Sequence, residues 1–567
     1  MEFASEARRD GHRVRKRLAE STRAFSATAR NPSLLRAQLA FGATWSAEWA
    51  FTVALGVVAF RDGGATAVGI VAFVRFAPSA VLSPVGTALA DRFPRDRVLF
   101  WSCFLRGAAT AAATLALAVG WPSVAVYTLA LLATAAFTVF RPAHAALLPA
   151  LCKTPLELTS ANVVRGLLDS LSTLLGPIVA ALLLDLASAA AVFGVAAALS
   201  FASGGLLLGL SYEAPPRGPA QPLRRILGET VDGFRALGRH RAALLVAGIG
   251  LAQTLTRGFL NVFLVVMALE LLDIGSPGVG LLTAAVGAGA VAGSLGASVL
   301  VRGRRLAAIT GIGAALWGLP LALSGALPYE PVVLVLMGVI GIGNALIDIG
   351  LFTLVPRLVP EDLLARVFGA FESLVSLTVA LGSLVTPLVI DLLGIRGALA
   401  TLGLVAPALA ILAWRRLEAI DASIAHRDDE VDVLRKVAIF RPLPMPAIDA
   451  LALHVDHADF AAGQEVFHQG DPGDRFYVIE HGEAEVIGDG RLIRTMGPSD
   501  GFGEIALLHQ TMRSTTVRAR TPLRLHALDR LHFLAVVTGY QSSEREAQTV
   551  VRERLHSFDP RNGPARS

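Results

Sequence analysis

Two observations predict the fold class of this chain. Apolar runs of membrane-crossing length fill it from Leu39 to Trp414, and a polar region with strand-like alternation follows. The class is an all-α polytopic membrane protein of about twelve transmembrane helices in two six-helix repeats, followed by a C-terminal α+β domain. Composition agrees: 54% of the 567 residues are hydrophobic and 17% charged, and the mean hydropathy is +0.58. An ordinary soluble chain is excluded by those values.

In chain order, residues 1–35 form a basic arm that carries Arg8, Arg9, Arg13, Arg15, Lys16, Arg17, Arg23 and Arg30. It is longer than the charged region of a signal peptide. The segment after it is long enough to span a bilayer and holds Trp45, Glu48 and Trp49 without a small-residue cleavage site. The arm is expected in the cytoplasm, where the anionic inner leaflet attracts it and so helps set topology. Cys103 and Cys152 both lie in or beside apolar runs. They supply neither a disulfide framework nor metal-ligand spacing, and packing is their expected role.

The expected spans are 39–60, 68–90, 98–119, 124–147, 163–184, 190–210, 242–269, 278–300, 306–327, 331–354, 367–392 and 398–414. They make one half over 36–212 and another over 242–416, joined by a central loop, 213–241. Odd-numbered breaks are short and poor in Lys and Arg, as in Arg61-Asp62-Gly63-Gly64 and Gly394-Ile395-Arg396. Even-numbered breaks hold Arg92, Arg95 and Arg97, Lys153, Arg217 to Arg241, Arg302 to Arg305, and Arg357 and Arg366. The positive-inside rule therefore puts the N-terminus, the central loop and the C-terminus in the cytoplasm. The halves also repeat: Leu147-Leu148-Pro149 before the fifth span matches Leu354-Val355-Pro356 before the eleventh. Such a correspondence is what a duplicated transporter shows.

Ionisable residues inside spans are the transport candidates, because a charge in hydrocarbon needs a partner or a cavity. They are Glu48, Arg75, Arg106, Arg141, Asp169, Arg257, Asp348 and Glu372. Glu48 has two readings, a proton carrier or a fixed ion pair with Arg75 or another buried arginine. Asp348 stands one turn from Asn344. Asp169 and Glu372 read equally as a gating pair or as coupling residues, and His144 as packing.

The run Leu89-Ala90-Asp91-Arg92-Phe93-Pro94-Arg95-Asp96-Arg97 resembles the signature between the second and third helices of the major facilitator superfamily. The resemblance implies that Asp91 and Arg92, with Arg95 among the cations that follow, join a charge network that locks one conformation. A plain basic turn is the other reading. Thr87 and Pro94 stand where that signature has glycines. In the fifth span, Ser172-Thr173-Leu174-Leu175-Gly176-Pro177-Ile178-Val179-Ala180-Ala181 resembles the glycine-proline motif of the family's exporters. Small residues there permit close helix packing.

A polar segment, 417–430, reads as a helical linker, and 431–557 as the C-terminal domain with a flexible tail, 558–567. Within the domain, Gly470-Asp471-Pro472-Gly473-Asp474 separates two alternating apolar runs, as a hairpin needs. Further on come Phe502-Gly503-Glu504-Ile505-Ala506 and, after a gap, Arg513-Ser514-Thr515. An arginine fork suits a phosphate, and a carboxylate accepts from sugar hydroxyls. The spacing resembles the phosphate-binding cassette of cyclic-nucleotide-binding domains, which implies a β-roll with flanking helices. The resemblance further implies that Glu504 holds the ribose 2′-hydroxyl and Arg513 the cyclic phosphate, with Gly503 and Ser514 as donors. Ser514 after the arginine favours cAMP over cGMP. Met512 and Thr515 depart from the usual pattern. Residues 431–440 resemble the helical bundle before the roll, and 528–537 and 544–555 read as helices able to lid the nucleotide.

No nucleophile triad, metal-ligand spacing or phosphate-binding loop of the ATPase type stands in the sequence, so neither an enzyme nor an ATP-driven pump is expected. The reading is a secondary transporter, an exporter in an inner (plasma) membrane, regulated by a cyclic nucleotide. A membrane-anchored receptor that transports nothing is the alternative. Expected partners are the lipid bilayer, the nucleotide, a small-molecule substrate whose movement a proton drives, and a second copy of the chain. No nucleic acid and no metal are expected.

Overall fold

The computed structural model describes residues 30–152, 154–210, 223–300, 305–539 and 541–557. The chain divides into two compact units, Met1–Glu418 and Ala419–Ser567. The basic arm as far as residue 29, Lys153, the loop portion 211–222 with Arg217, the break residues Arg302 and Arg304, and the tail 558–567 lie outside the described residues.

The first unit is helical: α1 (Pro32–Arg92), α2 (Arg95–Val119), α3 (Ser123–Thr138), α4 (Phe140–Leu151), α5 (Pro155–Leu186), α6 (Ala189–Leu207), α7 (Leu223–Arg239), α8 (Arg241–Val266), α9 (Gly275–Leu300), α10 (Leu306–Ala326), α11 (Glu330–Leu358), α12 (Glu361–Gly403) and the start of α13 (Val405–Lys436). Ten helical stretches among the described residues are long and apolar enough to cross a membrane, with α3 and α4 counted as one. Helix α1 contains two expected spans, and its helical dihedrals fail at Gly63 and Gly64, where the first break is expected. Helix α12 likewise loses them at Gly394, whose φ of 68° is open to glycine at little cost. The twelfth expected span is interrupted at Leu404.

The breaks carry the chemistry that ends helices. Gly120 adopts a left-handed cap whose N–H reaches Ala116 and Leu117 carbonyls. Thr154 accepts from the Glu157 N–H and Ser188 from the Ala191 N–H, each satisfying an otherwise orphaned donor. Helices touch where side chains are smallest. A Cβ on Gly176 would stand 2.6 Å from the Ser46 carbonyl, and one on Gly287 2.6 Å from the Thr173 carbonyl. The glycine-proline segment of α5 thus packs tightly against α1 on one side and α9 on the other. Leu392, Leu412, Ile411 and Trp121 are exposed, a surface that suits lipid and not water.

The central loop differs from expectation. It contains α7, which buries Gly233, Ala236 and Leu237 along one face. A Cβ on Gly233 would meet the Arg366 carbonyl of α12. Apolar residues at helical spacing were present among the arginines, but the charge obscured them.

The second unit holds the rest of α13, a 3-10 turn (Ala438–Phe440), α14 (Met445–Ala452), eight strands, α15 (Glu504–His509), α16 (Arg530–Gly539) and α17 (Gln541–Ser557). The strands are β1 (Val455–Phe460), β2 (Glu465–Phe467), β3 (Arg475–His481), β4 (Ala484–Gly488), β5 (Arg491–Met496), β6 (Gly501–Phe502), β7 (Thr516–Ala519) and β8 (Leu523–Asp529). They form two four-stranded sheets, ordered β1-β8-β3-β6 and β2-β7-β4-β5. The expected hairpin across Gly470–Asp474 is therefore corrected: β2 and β3 lie in different sheets, and the turn is a crossover between them. Alternating apolar runs cannot distinguish the two, because both sheets need one buried face. Likewise Leu528 and Asp529 close strand β8, and the helix begins at Arg530. Between the sheets, Tyr477, Ile479, Val486, Phe502, Val517 and Leu525 make one core. On the other face of the first sheet, Val431, Leu434, Phe440, Phe476, Val478, Leu528 and Phe533 make a second, against the helices.

Candidate functional sites

Arg513 is the centre of the C-terminal site. Its backbone is fixed by two bonds to the Gly470–Asp471 turn: its N–H donates to the Asp471 carbonyl at 2.8 Å, and its carbonyl accepts from Gly470 at 2.8 Å. The side chain is only 2% exposed. Nη1 donates to the Gly503 carbonyl at 3.1 Å and Nη2 to the Arg475 carbonyl at 2.8 Å. Asp474 faces Nη2 at 3.3 Å. The guanidinium lies over the Phe467 ring, 4.2 Å from its centroid. Buried Nε has no partner among the described residues. A buried donor without an acceptor is costly, so an anion that supplies one gains accordingly.

Gly503 makes the geometry possible. Its φ is 97°, and a Cβ there would stand 2.6 Å from Arg513 Nη1. Glu504, which opens α15, is buried, as are Phe502, Ala506 and Thr515, while Ile505 is half-buried and Ser514 exposed. The structure thus brings the two halves of the cassette together, Gly503 against Arg513. Burial pulls the Arg513 pKa below its ordinary value, opposed by Tyr477 and Asp474. Burial and Asp474 push the Tyr477 hydroxyl up.

Of the surroundings of Arg513, Phe502 was named with the cassette in the sequence, whereas Asp474, Phe467 and Tyr477 were not singled out as site residues. Tyr477 and Phe502 stack with centroids 5.3 Å apart. The alternation of apolar residues around Phe467 on β2 and Tyr477 on β3 was the available signal for those two. The expected lid helices α16 and α17 border a groove whose lining includes Leu508, His509, Gln510, Leu534, Thr538 and Glu544. Neither Arg513 nor Glu504 lines that groove.

In the membrane unit, Glu48 stands between two arginines: Oε1 is 2.7 Å from Arg75 Nη2 and Oε2 3.0 Å from Arg106 Nη2. Arg75 Nε also donates to Thr134 at 2.8 Å. The Arg106 guanidinium lies 4.5 Å from the Phe137 centroid, so an aromatic face supports the second cation. Of the two readings of Glu48, this geometry matches the ion pair, widened to a triad. Beside it lies a cavity lined by Trp49, Thr52, Arg75, Phe76, Asn261 and Thr283, among others. Arg106 was named as a candidate, but its helix gave no sign that it shares a carboxylate with Arg75.

Asp348 accepts from Asn344 Nδ2 at 2.9 Å, and Asn344 Oδ1 in turn accepts from Gln253 at 2.8 Å and Trp317 at 3.3 Å. Arg257 lies within electrostatic reach of Asp348, Arg141, Asp169 and Glu372. The Arg95 guanidinium donates to the Ala146 carbonyl at 2.7 Å. Asp91 and Arg92 end α1, and their side chains lie outside the described residues. His144 is buried, with Nε2 3.1 Å from the Ala37 carbonyl and its ring against Phe41, which fits a packing role.

Comparison with known proteins covers both units. A family model described as Major Facilitator Superfamily matches residues 38–377 and, again, 249–448. A second, described as Cyclic nucleotide-binding domain, matches residues 458–540. The cAMP-dependent protein kinase regulatory subunit of Schizosaccharomyces pombe is 39% identical over 102 residues, 18% of this chain and 25% of that protein. The chain thus spans about a quarter of the curated relative it matches. Among solved structures, cAMP-bound PfPKA-R is 24% identical with a TM-score of 0.23, covering 25% of this chain and 49% of that one. The regulatory domain of Toxoplasma gondii PKA with cAMP is 23% identical with a TM-score of 0.22, covering 25% and 56%.

Proposed function

The chain belongs to the Major Facilitator Superfamily and carries a C-terminal cyclic nucleotide-binding domain, and on that premise we propose that it is a secondary active exporter whose cycle is set by a cytoplasmic cyclic nucleotide. The single observation that carries the regulatory half is Arg513 Nε, buried and unpartnered beside the buried Glu504. A cyclic nucleotide supplies a phosphate anion and ribose hydroxyls. Arg513 would hold the phosphate and Glu504 the 2′-hydroxyl, with donors from Gly503 and Ser514. Phe502, Ile505, Ala506 and Thr515 complete the bed. Ser514 and the cAMP-dependent relative favour cAMP over cGMP.

The transport half rests on charges kept inside apolar helices, where they are retained for function or for pairing. Arg75 borders the cavity in the membrane unit and pairs with Glu48, and Asp348 ends a polar relay, which makes these three the candidates for substrate or proton handling. Asp91, Arg92 and Arg95 are the candidates for a cytoplasmic gate. The basic breaks support an inner (plasma) membrane orientation with the nucleotide domain in the cytoplasm. A nucleotide that binds one conformation better shifts the cycle by its differential affinity, commonly about 1–3 kcal/mol.

Proteoliposomes holding the full chain test both halves. A lipophilic fluorescent dye is followed as its export probe, with and without cAMP on the domain side, alongside calorimetric titration of cAMP and cGMP. Dye flux that changes with cAMP supports the proposal. Equal flux at saturating nucleotide removes the regulatory claim, and nucleotide binding without any proton-driven flux favours the receptor that transports nothing.

A further inference from the structure

The sequence holds no metal-ligand spacing, yet the strand pairing of the second unit brings together three residues far apart in the chain. Antiparallel pairing of β1 with β8 sets His457 directly opposite His526. On the other side of β8, Val478 of β3 also pairs with His526, and Glu480 lies two residues on, at the register shift between Ile479 and His481. Side chains alternate across a strand, so Val478, His526 and His457 share one face of the sheet, and Glu480, at the register shift, reaches the same face through its contact with His526. Val478 belongs to the core against the helices, whereas its neighbours Ile479 and Leu525 belong to the core between the sheets. The face is therefore the one opposite the interior of the roll that holds Phe502 and Tyr477.

One ligand atom from each of His457, Glu480 and His526 lies within 4.8 Å of the other two. His526 Nε2 stands 3.2 Å from Glu480 Oε2, and the two imidazoles meet edge to face with centroids 4.8 Å apart. From the end of α13, buried Glu430 places Oε1 3.8 Å from His457 Nε2.

The geometry points to a site for a divalent transition metal of the zinc type, ligated by His457, Glu480 and His526, with the Glu430 carboxylate beside His457. Three lines of chemistry carry it. Two neutral imidazoles with a carboxylate are the nitrogen and oxygen donors that suit zinc-like ions, while calcium and magnesium take oxygen alone. Glu480 and Glu430 together bring two negative charges, which balance a dication. Metal–ligand bonds of about 2.0–2.2 Å put neighbouring donors roughly 3.4 Å apart in a tetrahedron, so the donors must draw closer than their present spread. His457 and Glu480 are not fully buried and can do so by rotating side chains while the strands stay paired. A metal there would tie β1, β3 and β8 to one another and to the last turns of α13, away from the cassette residues.

The test uses the full chain, purified without a histidine tag, stripped of metal and titrated with Co²⁺ alone. The expected result is one equivalent bound with the strong visible bands of four- or five-coordinate cobalt, displaced by Zn²⁺. His457→Gln changes an exposed side chain and should weaken binding at least about ten-fold, as should Glu480→Gln. A far-UV circular dichroism spectrum and thermal midpoint of each variant that match the parent's verify that the domain remains folded. Absence of a bound equivalent in the folded parent overturns the proposal. So does equal Co²⁺ affinity in the parent and a folded His457→Gln, which would leave His526 and Glu480 a plain hydrogen-bonded pair.

Discussion

Arg106 and Arg513 are both buried arginines, but one is supplied with a carboxylate by its own helices and the other is not fully supplied. Arg106 shares Glu48 with Arg75 and leans on Phe137, its Nη2 meeting Glu48 as an ion pair and not as an aligned hydrogen bond. Arg513 is held by two carbonyls and an exposed Asp474, with Nε left over. Under the proposed function, the difference separates a charge kept for architecture or coupling from one prepared for a ligand. Buried triads are costly to break by removing one partner, whereas an open donor set is costly only while its acceptor is away.

The largest effect should come from Glu48→Gln. It leaves two buried guanidiniums without an anion, a loss of about 3–5 kcal/mol, read as a lower thermal midpoint of the full chain in nanodiscs. Adding Arg106→Met should recover part of that loss. A midpoint that does not move would mean Glu48 is not the structural partner, and the contrast with Arg513 would collapse.

Arg513→Ala should raise the Kd for cAMP at least about thirty-fold, the scale of roughly 2 kcal/mol expected when one partner of a buried charge pair is truncated. Its effect on the nucleotide-free midpoint should be smaller than that of Glu48→Gln. A nucleotide-free midpoint that falls as far would make both arginines structural.

Gly503→Ala probes the same site without touching a charge. Alanine at φ 97° that also meets Arg513 Nη1 should cost about 1–2 kcal/mol and weaken cAMP binding by displacing the guanidinium. Unchanged affinity would show that Arg513 does not need its present pose.

Asp529→Ala should give the smallest change and marks the scale of an exposed charge. Asp529 caps α16 by accepting from the His532 N–H at 2.9 Å, and this bond holds its pKa below the usual value. Its stabilisation is therefore complete above the unfolded carboxylate pKa and fades as pH falls through the lower folded value. A cost of about 1 kcal/mol at neutral pH, shrinking in acid, is expected from denaturant titration at both pH values.

Much of this was legible in the sequence because the signals are local. Apolar run length marks a span, Gly63-Gly64 and Gly394 mark its ends, and Gly503-Glu504 with Arg513 carry a spacing that the fold preserves. What was not legible depends on pairing at a distance. Nothing near Glu48 says that Arg106 closes on it from another helix. The crossover at Gly470–Asp474 has the composition of a hairpin turn, and only the sheet order tells them apart. His457, Glu480 and His526 become neighbours through the register of β8 alone. Helix α7 was hidden for a different reason, since its arginines match the topology signal that labels a loop.

Strand β8 has a consequence for synthesis. It lies between β1 and β3 and hydrogen-bonds both, yet it follows β1 by more than sixty residues. During translation at about 5–20 residues per second, β1 must wait several seconds with an unpaired edge, by which time the apolar helices have long left the ribosome. Strand β3 can meet β6 before β8 is made, but β1 has no partner until β8 emerges, and this long-range pairing predicts slow closure. A ribosome stalled before Leu523 would thus present open edges to neighbouring chains, and nascent-chain crosslinking at β1 would detect them.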